Sequence, residues 1–345
     1  MAADTDPVGG DAYETVDVDR DGYVGRITLD RPEAMNTFST ELAVDLDDAL
    51  HDLDERDDIR AVVVDGAGDA FSAGIDVSEH GEYDTKAEYE AWVARMEDPF
   101  HTLAEMATPV IAAAHGHAAA NGLGLVAACD LAVAAEGTMF GATAPKVGLF
   151  CMGPSVPLME TLTRKRCLEM VLTGDLIDAE TALEWGIVNR VRPQGEHVEG
   201  AVELAETIAS KSPAAVQLGK RAYYEMEDMP YHEALDYSNE QFAGLCTTAD
   251  ANEGIEAFLS GSRSRPTSGR ASERAIARRL GDVTVQKPPE SGPQAGSTAI
   301  DGVRGRRGPS GRCRNGGLGT RDAQLIQSER GQTDGGIAAR NPSTA

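Results

Sequence analysis

The stretch that most constrains this chain covers residues 108–134. Residues 109–114 form a short apolar run without alternation, the pattern of a strand buried on both faces. His115-Gly116 breaks it. A run of small residues holding Asn121, Gly122 and Gly124 then leads into residues 125–129, which read as helix. Strand, small-residue turn and helix together let a ligand approach the backbone closely. Amides at the start of such a helix lack internal partners and sit at the positive end of its dipole. A carbonyl oxygen that gains charge during a reaction suits that place. The same small residues also suit tight packing of helix on strand, and this stretch alone leaves both readings open.

The rest of the chain gives the stretch its setting. Residues 13–19 and 23–29 alternate in strand fashion around Asp21-Gly22, a hairpin signal. Arg31-Pro32-Glu33-Ala34-Met35-Asn36 reads as a loop, and Ser39 is placed to cap a helix on which Leu42, Leu46, Leu50 and Leu53 share a face. Residues 59–64 predict a second buried strand, 79–106 a polar helix, 130–134 a third strand and 139–140 a short one. Beyond Gly153 the pattern is helical over 156–162, 166–172, 178–185, 198–210, 214–225 and 231–259, with one more strand at 187–191. Alternating strands and helices predict an α/β fold with a mostly parallel sheet. The divisions are a disordered lead over 1–11, a core over 12–195, a helical region over 196–265 and a disordered, low-complexity tail over 266–345.

Charge narrows the function classes. The 345 residues carry a net charge of -26, from 31 basic and 57 acidic residues. An acidic surface poor in lysine suits a salty interior, where screening acts within about 3 Å at 1 M salt, and so points to a halophile. It excludes nucleic acid as the expected partner, because phosphates need a basic surface. Cys129, Cys151, Cys167, Cys246 and Cys313 form no C-x-x-C pair, and the histidines lack metal-ligand spacing. We therefore expect free thiols, no metal and a cytoplasmic location. No apolar run spans a bilayer, and the acidic start is unlike a secretion signal.

Ala70-Phe71-Ser72-Ala73-Gly74-Ile75-Asp76, followed some forty residues later by the segment with His115-Gly116 and Asn121-Gly122, resembles the crotonase, or enoyl-CoA hydratase/isomerase, superfamily. Three further pieces keep that order: the loop Arg31 to Asn36, the strand from Cys129 to Ala134, and Leu172-Thr173-Gly174-Asp175 with Gly186-Ile187-Val188. The resemblance covers about residues 12–262. It implies a crotonase-like ββα spiral with a helical C-terminal region that assembles as trimers or dimers of trimers. It implies an acyl-CoA substrate and no separate cofactor, since CoA is part of the substrate. By motif position the thioester oxygen would lie between the backbone amides of Ile75 and Asn121. Arg31, Ala34, Ser72, Ala73, Gly74, Asp76 and Gly122 would line the substrate.

One departure matters. Hydratases of this superfamily use two glutamates, and their positions fall on Gly124 and Ala144 here. Dienoyl isomerases and haloaryl dehalogenases place an aspartate about eight residues beyond the second, where this chain has Met152. Naphthoate-forming synthases carry a serine and an aspartate where Leu149 and Cys151 stand. Gly148-Leu149-Phe150-Cys151 is most similar to the enoyl-CoA hydratase domain-containing group, which also lacks the glutamate pair. Candidate replacements for the acid and base are Cys151, His115, His117, Glu79 and His80; for the thiol and the first two histidines the plain structural reading, a buried thiol and turn or packing histidines, is the favoured one. Arg26, Arg31 and Lys86 are candidate cations for the CoA phosphates, unless they pair within the chain. The second function class is a non-catalytic acyl-CoA binding or scaffolding protein.

Overall fold

The computed structural model describes residues 13–262, together with the backbone of a two-residue strand inside the expected lead. The rest of that lead and the expected tail lie outside the described residues. The strands are β1 (Asp6–Pro7), β2 (Val16–Asp21), β3 (Val24–Leu29), β4 (Ala61–Gly66), β5 (Val110–Ala114), β6 (His117–Ala119), β7 (Leu131–Ala135), β8 (Met139–Gly141), β9 (Ile177–Asp178) and β10 (Arg190–Arg192). The helices are α1 (Thr40–Glu55), α2 (Lys86–Glu105), α3 (Asn121–Ala128), α4 (Met152–Thr161), α5 (Arg164–Thr173), α6 (Ala179–Trp185), α7 (His197–Ala209), α8 (Pro213–Glu227), α9 (Tyr231–Cys246) and α10 (Ala249–Ser260).

Seven strands form one sheet in the order β1-β2-β3-β4-β5-β7-β10. The first two pairings are antiparallel, and every pairing from β3 onward is parallel. A smaller sheet holds β6, β8 and β9. Single bridges from Ser72 to Ala118 and from Phe38 to Ile75 extend that second layer. Each circuit therefore runs from the large sheet, round a corner, into the small layer and out through helix. Thus β5 passes to β6 and α3, and β7 passes to β8 and α4. This is the ββα spiral that the resemblance implies, with a helical region following it.

Alternation along the central strands explains the layering. Val62, Val64, Ala112, Ala114, Ala132 and Ala134 belong to a core with Leu42, Leu46, Leu50 and Leu53 of α1. Ala61, Val63, Ile111, Ala113 and Val133 point the other way, onto Ala201, Ala205 and Ala209 of α7. Both faces are covered, so the strands read as continuous apolar runs. Small residues at every fourth position of α7 let that helix lie close to the sheet. Ser39 caps α1 by accepting from the Leu42 amide at 3.1 Å. Thr85 and Glu88 form a reciprocal capping box that starts α2. Docking of α8 rests on Lys220, whose Nζ lies 2.8 Å from Asp130 and donates to the Thr108 carbonyl at 3.2 Å.

Several expected boundaries move. The helix read over 79–106 is a 3-10 turn at Val77–Glu82 and then α2. The long helix over 231–259 is two, α9 and α10, with Thr248 capping the second through the Ala251 amide. The helix expected from Leu125 begins at Asn121, and the loop after Arg31 contains a 3-10 turn.

Candidate active site

Two segments of the second layer run side by side. The Ser72 amide donates to the His117 carbonyl at 3.1 Å, and the Ala119 amide donates to Ser72 at 2.9 Å. Two residues past Ser72, a Cβ built on Gly74 would lie 2.7 Å from the Ala120 Cβ and 3.6 Å from the Asn121 nitrogen. Only glycine fits at position 74, where φ is +105°. Gly122 is equally confined, because a Cβ there would meet the Ser72 carbonyl oxygen at 2.3 Å.

This pairing directs the amides. Phe38 donates to the Gly74 carbonyl at 2.7 Å and accepts from the Asp76 amide at 2.8 Å. In a parallel bridge the residue between, Ile75, turns its own N–H away from Phe38. The Asn121 amide opens α3 and has no partner within the helix. Among the described residues, neither the Ile75 nor the Asn121 amide donates to a protein acceptor. Ala120, the residue before α3, is held at φ 46° and ψ -114°, a conformation that costs a non-glycine residue about 1–3 kcal/mol. The Asn121 side chain is buried, and its Nδ2 reaches the Met96 carbonyl of α2 at 3.5 Å.

The other expected residues fall around this pair. Ser72 is buried, and its Oγ accepts from the Gly74 amide at 3.3 Å. The Ala73 amide donates to Met35, which joins the early loop to this segment. Half-buried Ala34 stands in the 3-10 turn of that loop. Asn36, fully buried, fixes the loop: its Nδ2 donates to Ala67 and Ala70, and its Oδ1 accepts from the Arg31 amide. Arg31 itself bonds the Thr37 carbonyl at 2.6 Å and Asp76 at 3.0 Å. Asp76 also accepts from Ser78, and these donors hold its carboxyl below the usual range against the cost of burial. Two of the seven residues expected to line the substrate thus form an ion pair with each other, and Arg31 is not a free cation.

Most proposed stand-ins for the acid and base are committed elsewhere. Glu79 accepts from the Thr40 amide, the Thr40 hydroxyl and the Trp92 indole, so it ties α1 to α2. The His80 ring lies tilted against Tyr89, whose hydroxyl donates to the His80 carbonyl at 2.8 Å. The Cys151 thiol is buried, and burial pushes its pKa up, against a thiolate role. His117 is exposed.

His115 sits at a corner of the spiral, beside a cavity of about 400 Å3 also lined by Arg26, Asp65, Glu136 and His197. It stacks on His197 with ring centroids 4.8 Å apart, and its Nε2 meets the Gly68 carbonyl at 3.0 Å. Arg26 is paired there with Asp65, and exposed Lys86 lies within 4.0 Å of Glu90. Among the described residues no group of three or more His, Cys, Asp or Glu is placed to hold a metal, and no helix is long and apolar enough to cross a membrane.

Side chains already fill the space at Gly124. A Cβ there would meet the Phe100 ring at 2.9 Å and Pro154 at 3.0 Å. Ala144 is half-buried in a 3-10 turn, and Met152 is exposed. Sequence reasoning missed Glu97. The carboxylate of this half-buried residue of α2 rests against Gly153 at the start of α4, and a Cβ on Gly153 would sit 1.8 Å from its Oε1. Its signal was present: Glu97 interrupts an otherwise apolar stripe of Val93 and Phe100.

A model of the enoyl-CoA hydratase/isomerase family matches residues 19–264. A Mycobacterium bovis protein named "Probable enoyl-CoA hydratase echA8" is 34% identical over 248 residues, 72% of this chain and 95% of that protein. The human mitochondrial enoyl-CoA hydratase domain-containing protein 3 is 34% identical over 244 residues, 68% of this chain and 78% of that protein. The crystal structure of a Mycobacterium smegmatis enoyl-CoA hydratase superposes with a TM-score of 0.72 at 34% identity, covering 74% of this chain and 100% of that one.

Proposed function

The chain belongs to the enoyl-CoA hydratase/isomerase family, and from that premise we propose that it transforms an acyl-CoA thioester by holding the enolate oxygen between the Ile75 and Asn121 amides. The observation that carries this reading is the approach of the Gly74 and Asn121 segments, with both amides free of protein acceptors. Two fixed N–H donors stabilise an oxyanion better than mobile water does, and losing one such donor costs about 3 kcal/mol of barrier. Arg31 and Asp76, paired with each other, would shape the approach of the CoA portion. Neither glutamate position of a hydratase bears a carboxylate, so isomerisation, hydrolysis or decarboxylation fits better than hydration.

The same missing carboxylates favour a second reading, an acyl-CoA binding protein without turnover. A panel of acyl-CoAs, watched for loss of thioester or enoyl absorbance and in parallel for binding, separates the two. Turnover of any member supports the enzyme. Binding without turnover supports the second reading, and no binding at all refutes both.

Self-association as a homotrimer or a dimer of trimers belongs to the same proposal. Met152, Val156 and Met159 on α4 and Phe258 and Leu259 on α10 are exposed, and such apolar surface favours burial between copies. Light scattering tests it, and a monomer at micromolar concentration would refute it. The free thiols Cys129, Cys151, Cys167 and Cys246 support a reducing, cytoplasmic setting.

A further inference from the structure

We propose that Glu97 is the proton carrier of this site, moving a proton between its carboxylate and the carbon next to the thioester carbonyl; this rests on the thioester reading above. Its neighbours on α2 fix its place. One residue before it, the Met96 carbonyl accepts from the Asn121 side chain. Three residues after it, the Phe100 ring covers Gly124 and faces Pro154's neighbourhood on α4. Its own carboxylate lies on Gly153. Glu97 therefore stands where α2 meets the first turns of α3 and α4. It is within about one helical turn, or 5.4 Å along the axis, of both α2 residues that touch the first turn of α3.

Glu97 is also uncommitted. Among the described residues it forms no hydrogen bond and no salt bridge, whereas Glu79 and Asp76 are saturated by donors. A half-buried carboxylate without donors is unfavourable for folding, so a purely structural role explains it poorly. Burial raises its pKa above the ordinary value, with His101 partly offsetting the rise. That direction suits a group that must both take and return a proton near neutral pH.

In the forward step a Glu97 oxygen takes the α-hydrogen as a proton. The C–H electron pair becomes the carbon–carbon double bond of the enolate, and the carbonyl π pair moves onto the oxygen facing the two amides. The reverse step returns the proton from the carboxylic acid to carbon, and no oxidant or co-reactant is consumed.

The test is hydrogen–deuterium exchange at the α-carbon of butyryl-CoA in heavy water, read by mass spectrometry on the full chain, with thioester affinity measured in parallel. Wild type exchanges. Glu97→Gln exchanges at least 100-fold more slowly with unchanged affinity, and Glu97→Asp keeps intermediate exchange. The wild-type exchange rate falls as pH drops through the Glu97 pKa. Glu97→Gln folds at least as stably as wild type in urea, because it removes an unpartnered charge. Undiminished exchange in Glu97→Gln overturns the role of Glu97 and leaves the thioester reading standing. So does absence of exchange in a wild type that binds butyryl-CoA. Failure to bind any acyl-CoA overturns both.

Discussion

A double-mutant cycle on Gly74 and Ala120 tests whether the two amide-bearing segments touch. Gly74→Ala places a Cβ 2.7 Å from the Ala120 Cβ, about 1 Å inside ordinary contact, at a residue with φ +105°. The backbone strain costs about 1–2 kcal/mol and the overlap a similar amount. Together they predict a loss of roughly 3 kcal/mol. Ala120→Gly removes the other methyl and relaxes a residue held at φ 46°. The greater freedom of glycine in the unfolded chain takes back part of that gain, which leaves a net stabilisation of about 0.5–1 kcal/mol. In the double mutant the overlap disappears, while the strain at position 74 and the 3.1 Å approach to the Ala119 carbonyl remain. The expected coupling is about 1–2 kcal/mol, measured by urea unfolding at one fixed protein concentration. Thioester turnover should follow: a drop in kcat/KM for Gly74→Ala beyond its stability loss, partly restored by Ala120→Gly. Additivity within about 0.5 kcal/mol would falsify the close approach, and with it the placement of the Asn121 nitrogen.

Two further outcomes concern groups around the site. His197 is pushed down to about 4 by burial and by His115, so the fold favours its neutral form. The stability this supplies is complete above about pH 6.5 and is lost as pH falls from there towards 4, by up to about 3 kcal/mol. His197→Gln should flatten that part of the urea-midpoint profile relative to wild type, and an unchanged slope would contradict the assignment. Gly124→Glu meets the Phe100 ring and Pro154, so it should lose about 2 kcal/mol and gain no crotonyl-CoA hydration. Hydration gained without truncating Phe100 would show that the ring does not close that space.

The legible parts of the sequence were those where one residue type answers one geometric need. The apolar runs at 109–114 and 130–134 could only be buried strands, and they pair in register in the sheet. Gly74 and Gly122 sit where any Cβ strikes the facing backbone or side chain, so the small-residue turn read at 121–124 has a packing reason. Boundaries were less legible where capping decided them. Thr85 with Glu88 and Thr248 divide helical text that periodicity alone runs together. The cations stayed open because sequence shows charge and not partner: Arg31 pairs with Asp76, which lies 45 residues away in the chain.

Glu97 was hidden for the converse reason. Among twenty residues of polar helix, its only mark is the break it makes between Val93 and Phe100, and packing is what shows that this face is half covered. The fold also explains why a carboxylate in this region comes from α2 and not from α3. Gly124 lies against the ring of Phe100, and a side chain there and that ring cannot share the space. With that position closed, a carboxylate entering from one turn earlier on the facing helix reaches the same junction of α2, α3 and α4 without displacing anything. Gly124 and Gly153 each lack the Cβ that would meet a side chain of α2, the Phe100 ring in one case and the Glu97 carboxylate in the other.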